Sequence, residues 1–232
     1  MHVTLIARLL SMIVLLAVLP ACGSIGKLIP LTGTPPPIDF ALVLQYAQRS
    51  ALVYEADTAI RQNAPAGTTI AIMPETPAGV KAYVETDDAH KLQWIVARGT
   101  SNLANVKLDI DYNKVVDPRL QIPLHKGFAD AAVPIYRFAK PLLKPGYEVR
   151  VTGHSLGGAA ALIVVMLLKE DGVALGQAIT FGQPTVTNRA GVAKYRALPL
   201  LRVVNDKDLV PLLPPLDPLS VLSADVLTGT GS

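Results

Sequence analysis

The spacing of apolar residues changes between two periods along the chain, and this change predicts helices alternating with strands. Behind Asp39, a residue suited to cap a helix, apolar side chains recur every three or four positions. Short runs rich in β-branched and aromatic residues follow, and these favour strands. The first predicted helix has apolar positions Phe40, Val43, Ala47, Ala51 and Tyr54, and the next two span residues 125–140 and 156–169. The predicted strands are residues 81–86, 92–98, 148–152, 177–181 and 201–205.

Strands that alternate with helices predict an α/β fold, with a mainly parallel sheet flanked by helices. The stretch 101–124 shows no clear period and is polar, so we expect irregular structure there. The apolar run 159–168 has only ten residues, too few to cross a bilayer core of about 30 Å. We therefore expect this run to form a helix buried against the sheet, within a single domain over residues 39–232.

The first 38 residues differ from the rest in composition. An apolar run at 9–19, interrupted only by Ser11, follows Arg8, a layout typical of a secretory signal. The run ends in Leu19-Pro20-Ala21-Cys22-Gly23, which resembles the lipobox of bacterial lipoproteins. This interpretation predicts a signal peptide over 1–21, lipidation of Cys22 and a Pro/Gly-containing tether over 22–38. The protein would then be exported and membrane-anchored in the cell envelope, at the outer membrane or cell surface. An ordinary cleaved signal or a retained N-terminal anchor are the alternatives.

Composition excludes several other classes of protein. The 232 residues include 21 Lys and Arg against 18 Asp and Glu, giving a net charge of +3 without a basic run. Such a balance is not that of a nucleic-acid-binding protein. The single cysteine excludes an internal disulfide. Metal-binding and phosphate-binding motifs are absent from the sequence, so we expect no cofactor and no metal site.

One short motif carries candidate chemistry. Gly153-His154-Ser155-Leu156-Gly157 matches the Gly-x-Ser-x-Gly nucleophile elbow, with a predicted strand before it and an apolar helix after it. The sharp turn of such an elbow exposes the serine hydroxyl above the sheet, and glycines let neighbouring backbone approach. The helix N-terminus behind the serine favours developing negative charge. The alternative is a tight strand–helix turn that happens to contain serine.

Five ordered segments together resemble the class 3 lipases, the fungal lipase-like α/β-hydrolases. The segments are Arg98-Gly99-Thr100, His125-Lys126-Gly127-Phe128, Val151 to Gly158, Thr180-Phe181-Gly182-Gln183-Pro184 and Arg202 to Pro211. The resemblance implies an α/β-hydrolase-like fold and hydrolysis of carboxylic esters, of the triacylglycerol lipase type. It implies Ser155 as nucleophile and Asp208 as the acid of a catalytic triad. Thr100 and the Leu156 backbone N–H would form the oxyanion hole. The implied partner is an acyl ester or lipid substrate, without a cofactor.

The triad also needs a histidine, which α/β-hydrolases place after the serine and the acid. The four histidines are His2, His90, His125 and His154, and none follows Ser155. We expect that the chain is a truncated product whose histidine lies beyond its last residue. Three alternatives stay open: a non-catalytic protein, a base from His90 or His125, or a base from a partner chain. The competing function is a non-catalytic lipase-fold surface lipoprotein that binds acyl lipid or a protein partner.

Overall fold

Six strands form the central sheet of the computed structural model, which describes residues 37–99 and 113–205. With a separate pair, the described residues contain eight strands: β1 (Thr68–Ile72), β2 (Ala82–Asp87), β3 (Leu92–Ala97), β4 (Lys114–Val116), β5 (Pro123–His125), β6 (Glu148–His154), β7 (Leu175–Phe181) and β8 (Leu200–Val203). The helices are α1 (Phe40–Leu52), α2 (Asp57–Gln62), α3 (Lys126–Ala139), α4 (Leu156–Glu170) and α5 (Arg189–Tyr195), with a 3₁₀ turn at Lys140–Leu142. Within the described residues, β4 and β5 form a separate hairpin.

The order of the sheet is β1-β2-β3-β6-β7-β8. β1, β2 and β3 pair antiparallel, whereas β3, β6, β7 and β8 are all parallel to one another. Helices α4 and α5 connect the last three strands, as expected for strand–helix–strand units. This arrangement confirms the predicted α/β fold with a mainly parallel sheet. The carboxyl ends of β3, β6, β7 and β8 therefore lie along one edge.

One face of the sheet is covered by α3 and α4. Every residue of α4 from Gly157 to Leu168 is buried, which confirms the predicted buried helix. Its apolar side chains meet Phe128 and Ile135 of α3 and the inward positions of the strands, including Ile95. Among residues 37–99 and 113–205, no helix has the length and apolar content needed to span a membrane.

The opposite face is covered by α1, which follows its predicted cap. The Asp39 carboxylate accepts a hydrogen bond of 3.1 Å from the Leu42 N–H at the first turn. Tyr46 of α1 packs edge-on against Trp94 of β3, with 4.5 Å between ring centroids. This second, smaller core cluster also contains Val53 and Ile60. Because successive side chains of a strand point to opposite faces, Trp94 and Ile95 enter different clusters.

The structure differs from the sequence predictions at three places. The predicted apolar positions of α1 are confirmed in part: Val43 and Tyr54 pack against the second core cluster, whereas Phe40 is 76% exposed and the buried side chains of the helix are Tyr46 and Ser50. The stretch predicted to be irregular holds the hairpin of β4 and β5. Strand β1 and the short helix α2 were not predicted, because five and six residues with two large apolar side chains or fewer give little apolar signal. The predicted signal, Cys22, Thr100 and Asp208 lie outside the described residues.

Candidate active site

Ser155 lies on the sharp turn between β6 and α4. β6 ends at His154 and α4 begins at Leu156, as the elbow motif predicted. The backbone of Ser155 has φ 56° and ψ −127°, a conformation that L-residues rarely adopt. The Ser155 N–H donates to the Phe181 carbonyl at the end of β7, at 2.9 Å. The neighbouring strand therefore holds a strained turn in place, as is common where backbone geometry serves function.

The Ser155 hydroxyl has no hydrogen-bond partner among the described residues, although the residue is only 2% exposed. A buried hydroxyl without a partner costs about 1–3 kcal/mol relative to a satisfied one. The hydroxyl lies at the N-terminus of a 15-residue helix, where free backbone N–H groups favour negative charge. An unbonded hydroxyl in that position is suited to attack an electrophile and to have the resulting oxyanion stabilised.

Two glycines of the elbow bring three backbone segments into contact. A Cβ at Gly157 would lie 2.6 Å from both the Arg98 carbonyl carbon and the Gly99 nitrogen. A Cβ at Gly153 would lie 2.8 Å from the Ala97 oxygen. No real side chain tolerates such distances to backbone atoms, so the first turn of α4 approaches the end of β3 only because these positions are glycine.

This close approach bears on the predicted oxyanion hole. Leu156 is the first residue of α4, so its N–H has no acceptor within the helix. Gly153 is in register with Ala97 of β3, and the chain continues from there through Gly99 towards Thr100. The structure thus places Gly99, the residue before Thr100, beside the turn that carries Ser155. The role of Thr100 itself stays a prediction.

Tyr54, just beyond the end of α1, bonds to both sides of this turn. Its hydroxyl accepts the Gly99 N–H at 3.1 Å and lies 3.1 Å from Nδ1 of His154. The sequence placed Tyr54 on the apolar face of a helix, and nothing in its spacing indicated a contact with the elbow. On the outer side of the same segment, the Arg98 guanidinium bonds to the Glu75 carboxylate and, at 2.8 Å, to the Gly79 carbonyl.

The segment that follows β7 forms another side of the site. Gln183 is buried and its side chain accepts from the Thr180 hydroxyl at 2.7 Å. The backbone carbonyl of Gln183 accepts a hydrogen bond from the Arg202 guanidinium of β8 at 2.6 Å. The strand that leads towards Asp208 therefore ends at the same edge as Ser155. Asp208 as the triad acid stays a prediction.

The structure rules out His90 as a base for Ser155. His90 lies in the turn before β3, 77% of its side chain is exposed, and its Nδ1 bonds to the Asp87 carboxylate at 2.7 Å. That turn is next to the first residue of β6, so the length of the strand, about 20 Å, separates it from Ser155. His125 is buried at the end of β5 and packs edge-on against Phe128. In the described part of the chain, no three His, Cys, Asp or Glu side chains cluster as metal ligands.

Two curated relatives of this chain are named as lipases. The chain is 36% identical over 151 residues to a lipase from Rhizomucor miehei, a match that covers 58% of this chain and 40% of that relative. It is 32% identical over 150 residues to secreted mono- and diacylglycerol lipase 1 from Fusarium solani, with 61% and 45% covered. The chain thus spans less than half the length of these curated relatives.

Solved structures show the same fold. Lipase II from Rhizopus niveus superposes with a TM-score of 0.64 at 26% identity, covering 77% of both chains. A triacylglycerol lipase whose catalytic centre is a serine protease triad gives 0.64 at 28% identity, covering 76% of this chain and 74% of that one. The sequence profile of the lipase (class 3) family matches residues 94–217, more than half of the chain and all of the elbow. On this evidence the chain belongs to the class 3 lipase family.

Proposed function

We propose that this protein is a serine ester hydrolase of the triacylglycerol lipase type, which cleaves acylglycerols or other acyl lipids. The observation that carries the proposal is the Ser155 hydroxyl. It is buried without a partner among the described residues, on a strained turn at the N-terminus of α4. Two relatives, the enzymes from R. miehei and F. solani, are named a lipase and a mono- and diacylglycerol lipase.

In the proposed reaction, Ser155 Oγ attacks the ester carbonyl carbon while its proton passes to a general base. The oxyanion accepts hydrogen bonds from the Leu156 N–H and from Thr100. The alcohol leaves with the proton from the base, and water then releases the fatty acid from the acyl-enzyme by the same steps in reverse. Asp208 orients the base and stabilises its charged form.

The base that this reaction needs is a histidine, and residues 156–232 contain none. A serine hydroxyl is a weak nucleophile without an adjacent base. The experiment therefore uses two proteins side by side: residues 1–232 and the product of the complete native reading frame. We expect a product that supplies a histidine base to turn over esters faster than residues 1–232 by a factor of about 10³ or more, since the base is part of the triad.

The decisive test is Ser155→Ala in the complete product. We expect hydrolysis of a tributyrin emulsion and labelling by a fluorophosphonate probe to disappear together, because both reactions form a bond to Oγ. Ser50→Ala is a matched control, because it removes another buried hydroxyl from the same region. Hydrolysis that persists in Ser155→Ala contradicts the proposal. A wild-type protein that binds acyl lipid but neither hydrolyses nor labels favours the non-catalytic surface lipoprotein.

We also propose that Cys22 carries a lipid anchor that holds the protein at the envelope membrane. The support is the order of Arg8, a short apolar run and the segment Leu19-Pro20-Ala21-Cys22-Gly23. Cys22→Ser should move the protein from the membrane fraction to the soluble fraction, and metabolic labelling with palmitate should be lost. An unchanged distribution contradicts lipidation at this cysteine.

A further inference from the structure

The Tyr54 hydroxyl joins two segments that are far apart in the sequence. One segment is the end of β3, where the Gly99 N–H donates to Tyr54 Oη at 3.1 Å. The other is the end of β6, where Nδ1 of His154 lies 3.1 Å from the same oxygen. The two rings of Tyr54 and His154 also meet edge-on, with 6.1 Å between their centroids.

Each of these bonded residues is adjacent to a residue of the proposed mechanism. Gly99 directly precedes Thr100, the proposed second oxyanion donor, and His154 directly precedes Ser155. A displacement of Gly99 relative to His154 would therefore change the distance between the oxyanion donor and the nucleophile. Errors of about 1 Å in such distances can cost about 10²-fold in rate.

We infer that Tyr54 is a positioning residue for ester hydrolysis, whose hydroxyl fixes the oxyanion segment at Gly99 against the nucleophile turn at His154. The inference rests on the function proposed above. It assigns to the N-terminal helix a part in catalysis in addition to its packing against the sheet.

The space around Gly99 shows that this contact is specific. A Cβ at Gly99 would lie 2.5 Å from Tyr54 Oη and 2.6 Å from the His154 carbonyl oxygen. Tyr54 and His154 thus occupy the room that any side chain at this position would need. The backbone of the oxyanion segment is in direct contact with the hydroxyl and with the nucleophile strand at the same point.

The protonation state of Tyr54 suits this role. Burial raises the pKa of Tyr54 above its usual range, although the hydrogen bond from Gly99 opposes the shift. The hydroxyl therefore keeps its proton at neutral pH. It accepts from the Gly99 N–H through its oxygen, and its own O–H lies within hydrogen-bond distance of His154 Nδ1.

A second hydrogen bond from the same helix makes it possible to distinguish positioning of the site from attachment of α1 to the sheet. One turn earlier, the Ser50 hydroxyl bonds to Thr152 Oγ1 of β6 at 2.8 Å, and Thr152 in turn donates to the Ile179 carbonyl at 2.7 Å. This link attaches α1 to the same strand but does not contact Gly99 or His154. Ser50→Ala therefore reports the structural cost of loosening α1 without disturbing the oxyanion segment.

The test compares Tyr54→Phe with Ser50→Ala in the complete native protein, using a soluble 4-nitrophenyl ester. Phenylalanine keeps the ring and removes only the hydroxyl. We expect Tyr54→Phe to lower kcat by about 10- to 100-fold with KM unchanged, because positioning errors act on the transition state. We expect Ser50→Ala to keep kcat within about twofold of the wild type, with a comparable loss in Tm.

Hydrogen exchange of the peptide that contains Gly99 gives a readout independent of turnover. Exchange at Gly99 should be faster in Tyr54→Phe than in the wild type and unchanged in Ser50→Ala. Wild-type kcat in Tyr54→Phe, or an equal loss of kcat in Ser50→Ala, overturns the positioning role alone. A wild-type protein that hydrolyses no ester overturns the proposed function, and the catalytic role of Tyr54 fails with it.

Discussion

Helices α1 and α4 cover opposite faces of the same sheet and are attached to it in different ways. α4 buries twelve consecutive residues, Gly157–Leu168, and none of these has a polar side chain. In α1 only Tyr46 and Ser50 are buried, and both use hydroxyl groups to bond to the strands. Arg49 of α1 adds an ion pair with the Glu85 carboxylate of β2, at 2.6 Å.

This difference means that one helix mainly stabilises the fold, whereas the other mainly aligns particular groups. Apolar burial is strong but not directional, so α4 supplies much of the free energy of folding. Hydrogen bonds contribute less net stability but depend on distance and angle, so α1 fixes particular atoms relative to one another. Only at its first turn, where Gly157 touches the end of β3, does α4 also determine the geometry of the site.

The largest effect should come from Gly157→Ala at that first turn. The new Cβ would lie 2.6 Å from the Gly99 nitrogen, a backbone atom that cannot move alone, so α4 must shift away from β3. We expect ester hydrolysis by the complete protein to fall by about 10²-fold or more, the cost of losing one oxyanion donor. Initial rates with a 4-nitrophenyl ester measure this loss.

Gly158→Ala is the matched control for this substitution. Its Cβ would meet the Gln183 Cβ and the Gly153 carbonyl oxygen, both at 3.1 Å, so these neighbours must give way by only a few tenths of an ångström. We expect a smaller loss, of about tenfold or less, because contacts at 3.1 Å require a much smaller shift than the 2.6 Å contact at Gly157 does. Equal losses in the two variants would contradict the view that contact between α4 and β3 sets the site.

The same substitution, Val→Ala, made once in each helix tests the difference in burial between α4 and α1. Val164 of α4 is 0% exposed, whereas Val43 of α1 is half-buried. Val164→Ala should lower the free energy of unfolding by about 2–3 kcal/mol, because it removes buried methyl groups and leaves a cavity. Val43→Ala should cost about 1 kcal/mol or less. Urea denaturation of both variants measures the difference, and similar losses would refute it.

One hydrogen bond of α1 lies away from the site. Tyr46 donates its hydroxyl hydrogen to the Gln177 carbonyl of β7, and Tyr46→Phe would leave that carbonyl without this donor. We expect a loss of about 1–2 kcal/mol in the free energy of unfolding, with kcat unchanged. Chemical denaturation and steady-state kinetics together check this expectation. A fall in kcat would show that the alignment function is spread along α1 and is not confined to Tyr54.

Much of this fold could be predicted because periodicity reports burial directly. The long helices and the strands β2, β3, β6, β7 and β8 were expected within one or two residues of their observed bounds. The apolar positions predicted for α1 were confirmed at Val43 and Tyr54, but Ser50 was missed because it is buried through a hydrogen bond that hydrophobicity does not register. Edge strand β1 and the hairpin of β4 and β5 depend on pairing with distant residues, and short runs carry little signal of it.

The candidate site likewise has a part that the sequence predicts and a part that it does not. The elbow at Ser155 could be located because its strand, turn and helix are consecutive, and because the required glycines stand in the sequence. The contact of Tyr54 with Gly99 and His154 could not, since it joins residues 45 and 100 positions apart. Sequence spacing identifies residues that act on one local segment, whereas residues that align two segments become visible only in the folded chain.

The smallest effect should appear at the C-terminal end of α4, where a network of charged side chains holds the chain. Asp171 accepts hydrogen bonds from Lys140 and Tyr136, both at 2.7 Å, and pairs with Arg119. Burial alone would raise the pKa of the Asp171 carboxyl, but these hydrogen bonds and charges hold it below its usual range. The unfolded chain therefore binds a proton at Asp171 at higher pH than the folded chain does.

The stabilisation from this carboxylate should be complete above about pH 5 and should be lost as the pH falls below about 4, towards the folded pKa. Asp171→Asn removes the titration, so the excess stability of the wild type over this variant should shrink on acidification. Thermal melts of both proteins between pH 7 and pH 3 measure the change. Asp88→Asn is the comparison away from α4: hydrogen bonds from Lys144 and Tyr147 also lower the pKa of the Asp88 carboxyl, so its effect should depend on pH without involving this helix. A stability difference between wild type and Asp171→Asn that is independent of pH would mean that α4 is held by apolar packing along its whole length, its C-terminal end included.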